Sequence, residues 1–211
     1  MNYSVENDAK IEADRTLIIG CGALAGEIIA LKKLNGWNHI DLKCLDAALH
    51  NHPDLIAPSV DLEIKKYKKM YQKIFIAYAD CGTAGALDEV LYSHKIERLS
   101  GAHCYETFSG EKNFENLMNE EVGTFFLTDF LVIHFDRLVY RGLGLDISEE
   151  IKKQIFGNYT RLIYLSQKND SELLKKAKLA AKKLNLKFEH KNVGLAQLES
   201  QMERQILHFV H

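Results

Sequence analysis

Four cysteines and a few histidines are the residues through which this chain could do chemistry. Cys21 opens CGALAG, Cys81 opens CGTAG, and Cys104 sits in GAHCYE between His103 and Tyr105, with Glu106 following. The glycines after the first two, Gly22 and Gly82, let the backbone turn sharply and come close to a bound ligand or cofactor. Each Cys-Gly pair ends an apolar run and precedes a helical pattern. A thiol there meets free N–H groups and positive potential, which favour its thiolate. The rival reading is a small buried hydrophobe at a tight turn.

Neither CxxC nor HExxH occurs, so a metal would have to be held by separate loops: Cys21, Cys81, and Cys104 or His103. Three thiolates suit zinc with one exchangeable position, or an iron–sulfur cluster with one non-cysteine ligand. Cys44 lies inside a strand pattern and reads as core. LHNHPDLI offers His50 and His52; on an extended segment before Pro53 they share a side, and His50 is preferred as ligand or base. Asn51 is expected to cap the backbone beside it. In GAHCYE, read as extended, Cys104 and Glu106 face one way and His103 the other. Glu106 then orients a histidine or serves as a general base, unless the segment is an ordinary buried turn. GTFFLTDFLVIHFDRLV reads as a hydrophobic helix whose Asp129 needs a partner and could support a histidine ligand.

Positioning these residues requires strands and helices in alternation. Strand patterns fall at 16–20, 39–45, 73–79, 161–167 and 186–192. Helical patterns fall at 23–34, 59–70, 84–93, 112–120, 126–140, 147–155, 170–184 and 194–207. The alternation predicts an α/β fold: a single Rossmann-like domain over residues 1–211, with a mostly parallel sheet, helices on both faces and an N-terminal extension over 1–14. LIIGCGALAGEIIALKKL and FIAYADCGTAGALDEVL align at their Cys-Gly pairs, a βα pseudo-repeat that sets Cys21 and Cys81 at the carboxyl edge of the sheet.

Composition narrows the possible functions. A net charge of -2 over 211 residues offers no general attraction for nucleic acid or anionic membrane. The longest apolar run is broken by Asp129 and His134, and the N-terminus is polar and acidic, so a cytoplasmic protein is expected. There, four cysteines point to metal binding or catalysis rather than to disulfides. GxGxxG and Walker spacings are absent, which disfavours a dinucleotide or ATP site.

CGAL, LHNHP, YADCGTAGALD, GAHCYE, GTFFLTDFL, GLGLD and FGNYTRLIYLSQ, spread over about residues 18–167, together resemble the family called domain of unknown function 1638. The resemblance implies a bacterial or archaeal origin, often anaerobic, and an association with corrinoid-dependent methyl transfer. Its motif positions are all present, as Cys21, His50, Cys81, His103, Cys104 and Asp129. The expectation is therefore a zinc–thiolate enzyme or metalloprotein acting on a small molecule, with a thiol or a corrinoid protein as partner. A metal-free cysteine nucleophile, an iron–sulfur protein and a non-catalytic corrinoid- or metal-handling accessory are the alternatives.

Overall fold

Strand β1, Glu12–Cys21, forms because RTLIIG is an apolar, β-branched run closed by glycine. In the computed structural model, which describes residues 12–207, β1 lies between two parallel partners, β2 (Ile40–Leu45) and β3 (Tyr71–Ala77). Leu17, Ile18 and Ile19 are all buried, as expected of a parallel strand covered on both faces. The connections carry α1 (Ala25–Leu34), entered through the 3₁₀ turn Gly22–Leu24, and α2 (Ile56–Tyr67). After β3 come α3 (Ala86–His94), α4 (Cys104–Ser109) and α5 (Glu111–Glu120).

A second parallel sheet follows: β4 (Thr124–Thr128), β5 (Arg161–Ser166) and β6 (Lys187–Asn192), in that order across the sheet. Its helices are α6 (Asp129–Ile133), α7 (Glu149–Phe156), α8 (Ser171–Leu184) and α9 (Ala196–Leu207). Side chains of β5 alternate between two cores. Leu162 and Tyr164 pack with Ala177 and Leu173 of α8, while Ile163 and Leu165 pack with Phe126 and Leu117. Helix α9 returns to the first sheet, burying Leu198 and Met202 in its core.

The fold is thus α/β with parallel strands and covering helices, arranged as two three-stranded sheets. β1 and β3, which carry the pseudo-repeat, are direct neighbours, with Gly20 opposite Ala77. The N-terminal extension lies mostly outside the described residues. Among those described, no helix is long and apolar enough to cross a membrane.

One predicted element needs correction. The helix expected over 126–140 is a strand end, a short helix and a π-helix, Phe135–Tyr140. The Thr128 hydroxyl accepts the Leu131 N–H at 3.4 Å and caps α6, so the chain changes from strand to helix inside one apolar run. Thr128 and Asp129 therefore stand at the carboxyl end of β4. The wide π turn, a feature frequent at functional sites, follows at once and turns Leu138 and Val139 toward a cavity.

Candidate functional site

The cavity, about 240 Å³, is walled by both halves of the chain. Ala23, Ala47, His50, Cys81, His103 and Cys104 come from loops at the ends of β1, β2 and β3 and from the start of α4. Phe130, Leu131, Leu138, Val139 and Leu143 supply most of its apolar lining, together with Tyr105 and Phe125 and beside Thr128. Asn51 joins the walls: its Nδ2 donates to the Leu138 carbonyl at 3.1 Å, across the cavity rather than to the backbone beside it.

Cys21 lies just behind this cavity, 2% exposed, where β1 meets the Gly22–Leu24 turn. Its Sγ accepts the Ala23 N–H at 3.3 Å and stands 3.5 Å from His50 Nδ1. Gly22 is required by close approach, since a Cβ there would sit 2.8 Å from the Leu45 carbonyl oxygen. His50 lies on a 3₁₀ turn, Ala47–Asn51, rather than on the extended segment expected. His52, outside helical geometry, separates that turn from the next at Pro53–Leu55, so the proline is accommodated at a first helical position.

Cys81 is held in a left-handed conformation, φ 52°, that a non-glycine residue seldom adopts. The loop is fastened by Asp80, whose carboxylate accepts from Thr83 Oγ1 at 2.7 Å and from the N–H groups of Gly85, Gly82 and Ala84 at 3.1, 3.2 and 3.3 Å. Partial burial pushes the Asp80 carboxyl up, but these hydrogen bonds outweigh it and hold the group below its ordinary range. Gly82, φ 84°, supplies the next left-handed step and packs against Pro53. Asp80 escaped the sequence reading, although an Asp before Cys-Gly-Thr is the usual signature of a side chain that closes its own turn.

The Cys81 and Cys104 loops are tied together. The N–H groups of Asp80 and Cys81 donate to the carbonyls of Gly101 and Ala102 at 3.0 and 2.8 Å. Arg98 braces the same segment, gripping Asp88 with two nitrogens at 2.6 and 2.9 Å and the carbonyls of Leu99 and Gly101 with a third. Cys104 begins α4 rather than lying on an extended chain, with exposed His103 in the extended N-cap position before it. This geometry lets His103 and Cys104 both line the cavity. Glu106, expected as a base or orienting carboxylate, turns back onto its own loop and accepts the Ala102 N–H at 2.8 Å. It does not line the cavity.

Burial dominates the electrostatics. It pushes the Cys21 thiol up to about 12 and Cys81 to about 11, and it raises Cys104 well above the ordinary thiol range. Amide N–H groups pull each back only in part, Ala23 acting on Cys21 and Cys104 on Cys81. Charge on one sulfur also penalises the others: Cys81 raises Cys21, and both raise Cys104. Cys44 adds to the push on Cys21 as well, so all four sulfurs belong to one electrostatic neighbourhood. Burial, aided by His103, lowers the His50 imidazole, which keeps it neutral at pH 7. Behind the cluster the Tyr78 hydroxyl, 1% exposed, is buried without a hydrogen bond of ordinary geometry, although it is near enough to Cys21 to favour a thiolate there. Among the described residues, no three histidine, cysteine or carboxylate side chains already stand close enough to hold an ion together.

Asp129 is 3% exposed and, among the described residues, pairs with no histidine. Its Oδ1 accepts the Tyr164 hydroxyl at 2.6 Å and the Gln167 N–H at 3.1 Å, and its own N–H donates to Gln167 Oε1 at 2.9 Å. Oδ2 is buried without a partner. Glu27, on α1 and 6% exposed, has its carboxyl raised by burial, which outweighs the opposing pull of a backbone hydrogen bond and of Lys168, with a smaller push from Asp129. A carboxyl raised in the folded state weakens folding once pH exceeds the unfolded value of about 4.5. Glu27→Gln is accordingly expected to raise the melting temperature at pH 7 and to leave it near that of the parent at pH 4. A gain of equal size at both pH values would show that ionisation of Glu27 is not the cause.

The model of a family described as Protein of unknown function (DUF1638) matches residues 44–202, most of the chain, and the chain belongs to that family. No curated protein and no solved structure matches it.

Proposed function

We propose that this member of the DUF1638 family is a metalloprotein in which Cys21, Cys81 and Cys104 hold zinc as thiolates, with His50 or His103 beside them. The observation that carries the reading is the buried Tyr78 hydroxyl beside Cys21, which among the described residues has no hydrogen bond of ordinary geometry. With pKa values of about 11 and 12, Cys81 and Cys21 remain protonated near neutral pH, which argues against a metal-free cysteine nucleophile. A soft dication among the sulfurs reverses this balance, because each thiolate gains a cation in place of two like charges. A Cys21 thiolate also gives the Tyr78 hydroxyl the acceptor it lacks. Neutral His50 suits either a fourth ligand or a base.

The three side chains must close inward on loading, from the end of β1, the turn after β3 and the start of α4. Bound zinc supplies thiol activation, lowering the pKa of a sulfur held at its exchangeable position. Methyl transfer onto such a thiol is the use we propose: its proton leaves to His50 or solvent, and the sulfur forms the S–C bond as the Co–C bond of a corrinoid-borne methyl group, the donor class suggested by the family resemblance, breaks with its electron pair kept by cobalt.

Titration of the reduced, metal-free protein with Zn²⁺ tests the assignment. About one zinc is expected per chain, with release of about three protons and protection of three thiols from alkylation. Uptake without proton release, or with all four cysteines still reactive, would refute it. Tyr78→Phe is expected to weaken zinc binding by about 10- to 100-fold while leaving the metal-free fold as stable or more so, because a buried unpaired hydroxyl is removed. Isothermal titration beside a thermal melt separates the two effects.

A further inference from the structure

The cavity grades from a buried floor to an open rim. Thr128, Cys104 and Leu138 are buried, whereas Phe130 and Leu143 are half-buried and His103 is exposed, so a small molecule can enter on the His103 side. The volume of about 240 Å³ compares with the roughly 150 Å³ that holds the six carbons of benzene in an apolar protein cavity, which sets a scale of about ten non-hydrogen atoms. Leucine, valine and phenylalanine side chains make up the apolar lining, interrupted by a few polar groups, as in a small-ligand pocket.

Those polar groups differ in what they still have to offer. The Asn51 amide nitrogen is engaged with the Leu138 carbonyl. The Thr128 hydroxyl accepts the Leu131 N–H but, among the described residues, donates to nothing, although the residue is only 4% exposed. A buried O–H with its hydrogen unspent favours an oxygen acceptor in the space beside it. Burial keeps the His50 imidazole neutral, so it carries an acceptor nitrogen as well as an N–H.

We infer that the cavity binds a small hydroxylic molecule of about seven to ten non-hydrogen atoms, an alcohol or phenol whose oxygen accepts from Thr128 and whose apolar body lies among Phe130, Leu131, Leu138 and Leu143. The ligand's own hydroxyl hydrogen is left for an imidazole of the lining. This site is formed by the chain's side chains alone and needs no metal, so its failure and the failure of the zinc assignment are separate results.

The test is isothermal titration of the reduced, metal-free full chain with 4-alkylphenols, from methyl to hexyl, and with the 4-alkyltoluenes that carry a methyl group in place of the hydroxyl. Affinity is expected to rise by about fourfold per added methylene as far as about propyl, and no further beyond it. Transfer out of water alone favours the toluenes, so phenols binding at least as tightly would report the hydrogen bond. Thr128→Val removes the hydroxyl at similar volume and is expected to weaken phenols by about five- to tenfold while leaving toluenes unchanged. A thermal melt registers the lost cap of α6 separately. Leu131→Trp and Leu143→Trp, both at half-buried positions, should fill the space and abolish binding of both series, with melts confirming each fold. Toluenes binding more tightly than phenols, or both series weakened alike by Thr128→Val, would overturn the hydroxyl head and the inference with it. Affinity indifferent to chain length, or unaltered in both tryptophan variants, would overturn the site itself.

Discussion

Replacing Cys21, Cys81 or Cys104 singly by serine is expected to weaken zinc binding by more than about 100-fold, beyond the cost of losing an outer partner of a metal ligand. The three should behave alike, although they occupy different loops. Cys21 ends β1, Cys81 sits in the left-handed turn after β3, and Cys104 opens α4. Serine keeps the approximate size but cannot provide a soft thiolate. Cys44→Ser is the internal control, since Cys44 lies within β2 and is only partly buried, whereas the other three are buried. Each change buries a hydroxyl where a protonated thiol is a small apolar group, so a loss of about 1–3 kcal/mol of stability is expected with the fold retained. Metal content measured beside circular dichroism checks both halves of this expectation. Zinc bound as tightly by any one of the three variants as by the parent would remove that cysteine from the site.

Asp129→Ala is expected to cost about 2–4 kcal/mol of stability, on the order of a 10 °C fall in Tm, without altering the ligands. The carboxylate fastens the start of α6 to the end of β5 by accepting from Tyr164 and Gln167. Alanine would strand the Tyr164 hydroxyl in a position only 1% exposed. Asp129→Asn provides the contrast. Its amide oxygen can keep both donors, while its NH₂ replaces the unpaired Oδ2 that adds to the strain on Glu27. A change of no more than about 1 kcal/mol is therefore expected, in either direction. Thermal melts of the two variants decide the matter. Equal, large losses would mean that the negative charge itself is needed, in support of the metal-linked role first expected for Asp129.

The alternation of strands and helices was legible because β1, β3 and β5 are short apolar runs, while β2 and β6 alternate apolar and polar residues. The sites of Cys21 and Cys81 followed from it, as the Cys-Gly pairs mark strand ends. Division into two sheets was not legible, since strand pairing is settled by long-range contacts that no local pattern records. β4 was hidden for a different reason: TFFLT runs directly into DFLVI with no glycine or proline between, and only the capping Thr128 marks the change. His50 and Glu106 were misplaced in local geometry because both lie in short turns. Those turns are fixed by capping and backbone hydrogen bonds, not by periodicity. Asp80 and Tyr78 gave no periodic signal either. Their importance comes from what they face: four donors for Asp80, and a buried sulfur for Tyr78.

Zinc K-edge X-ray absorption on the loaded protein tests the central claim most directly. The account predicts about three sulfur scatterers near 2.3 Å and one nitrogen or oxygen near 2.0–2.1 Å, with one sulfur lost in each of Cys21→Ser, Cys81→Ser and Cys104→Ser where metal remains bound. A shell of nitrogen and oxygen alone, or sulfur contributed by Cys44, would contradict it.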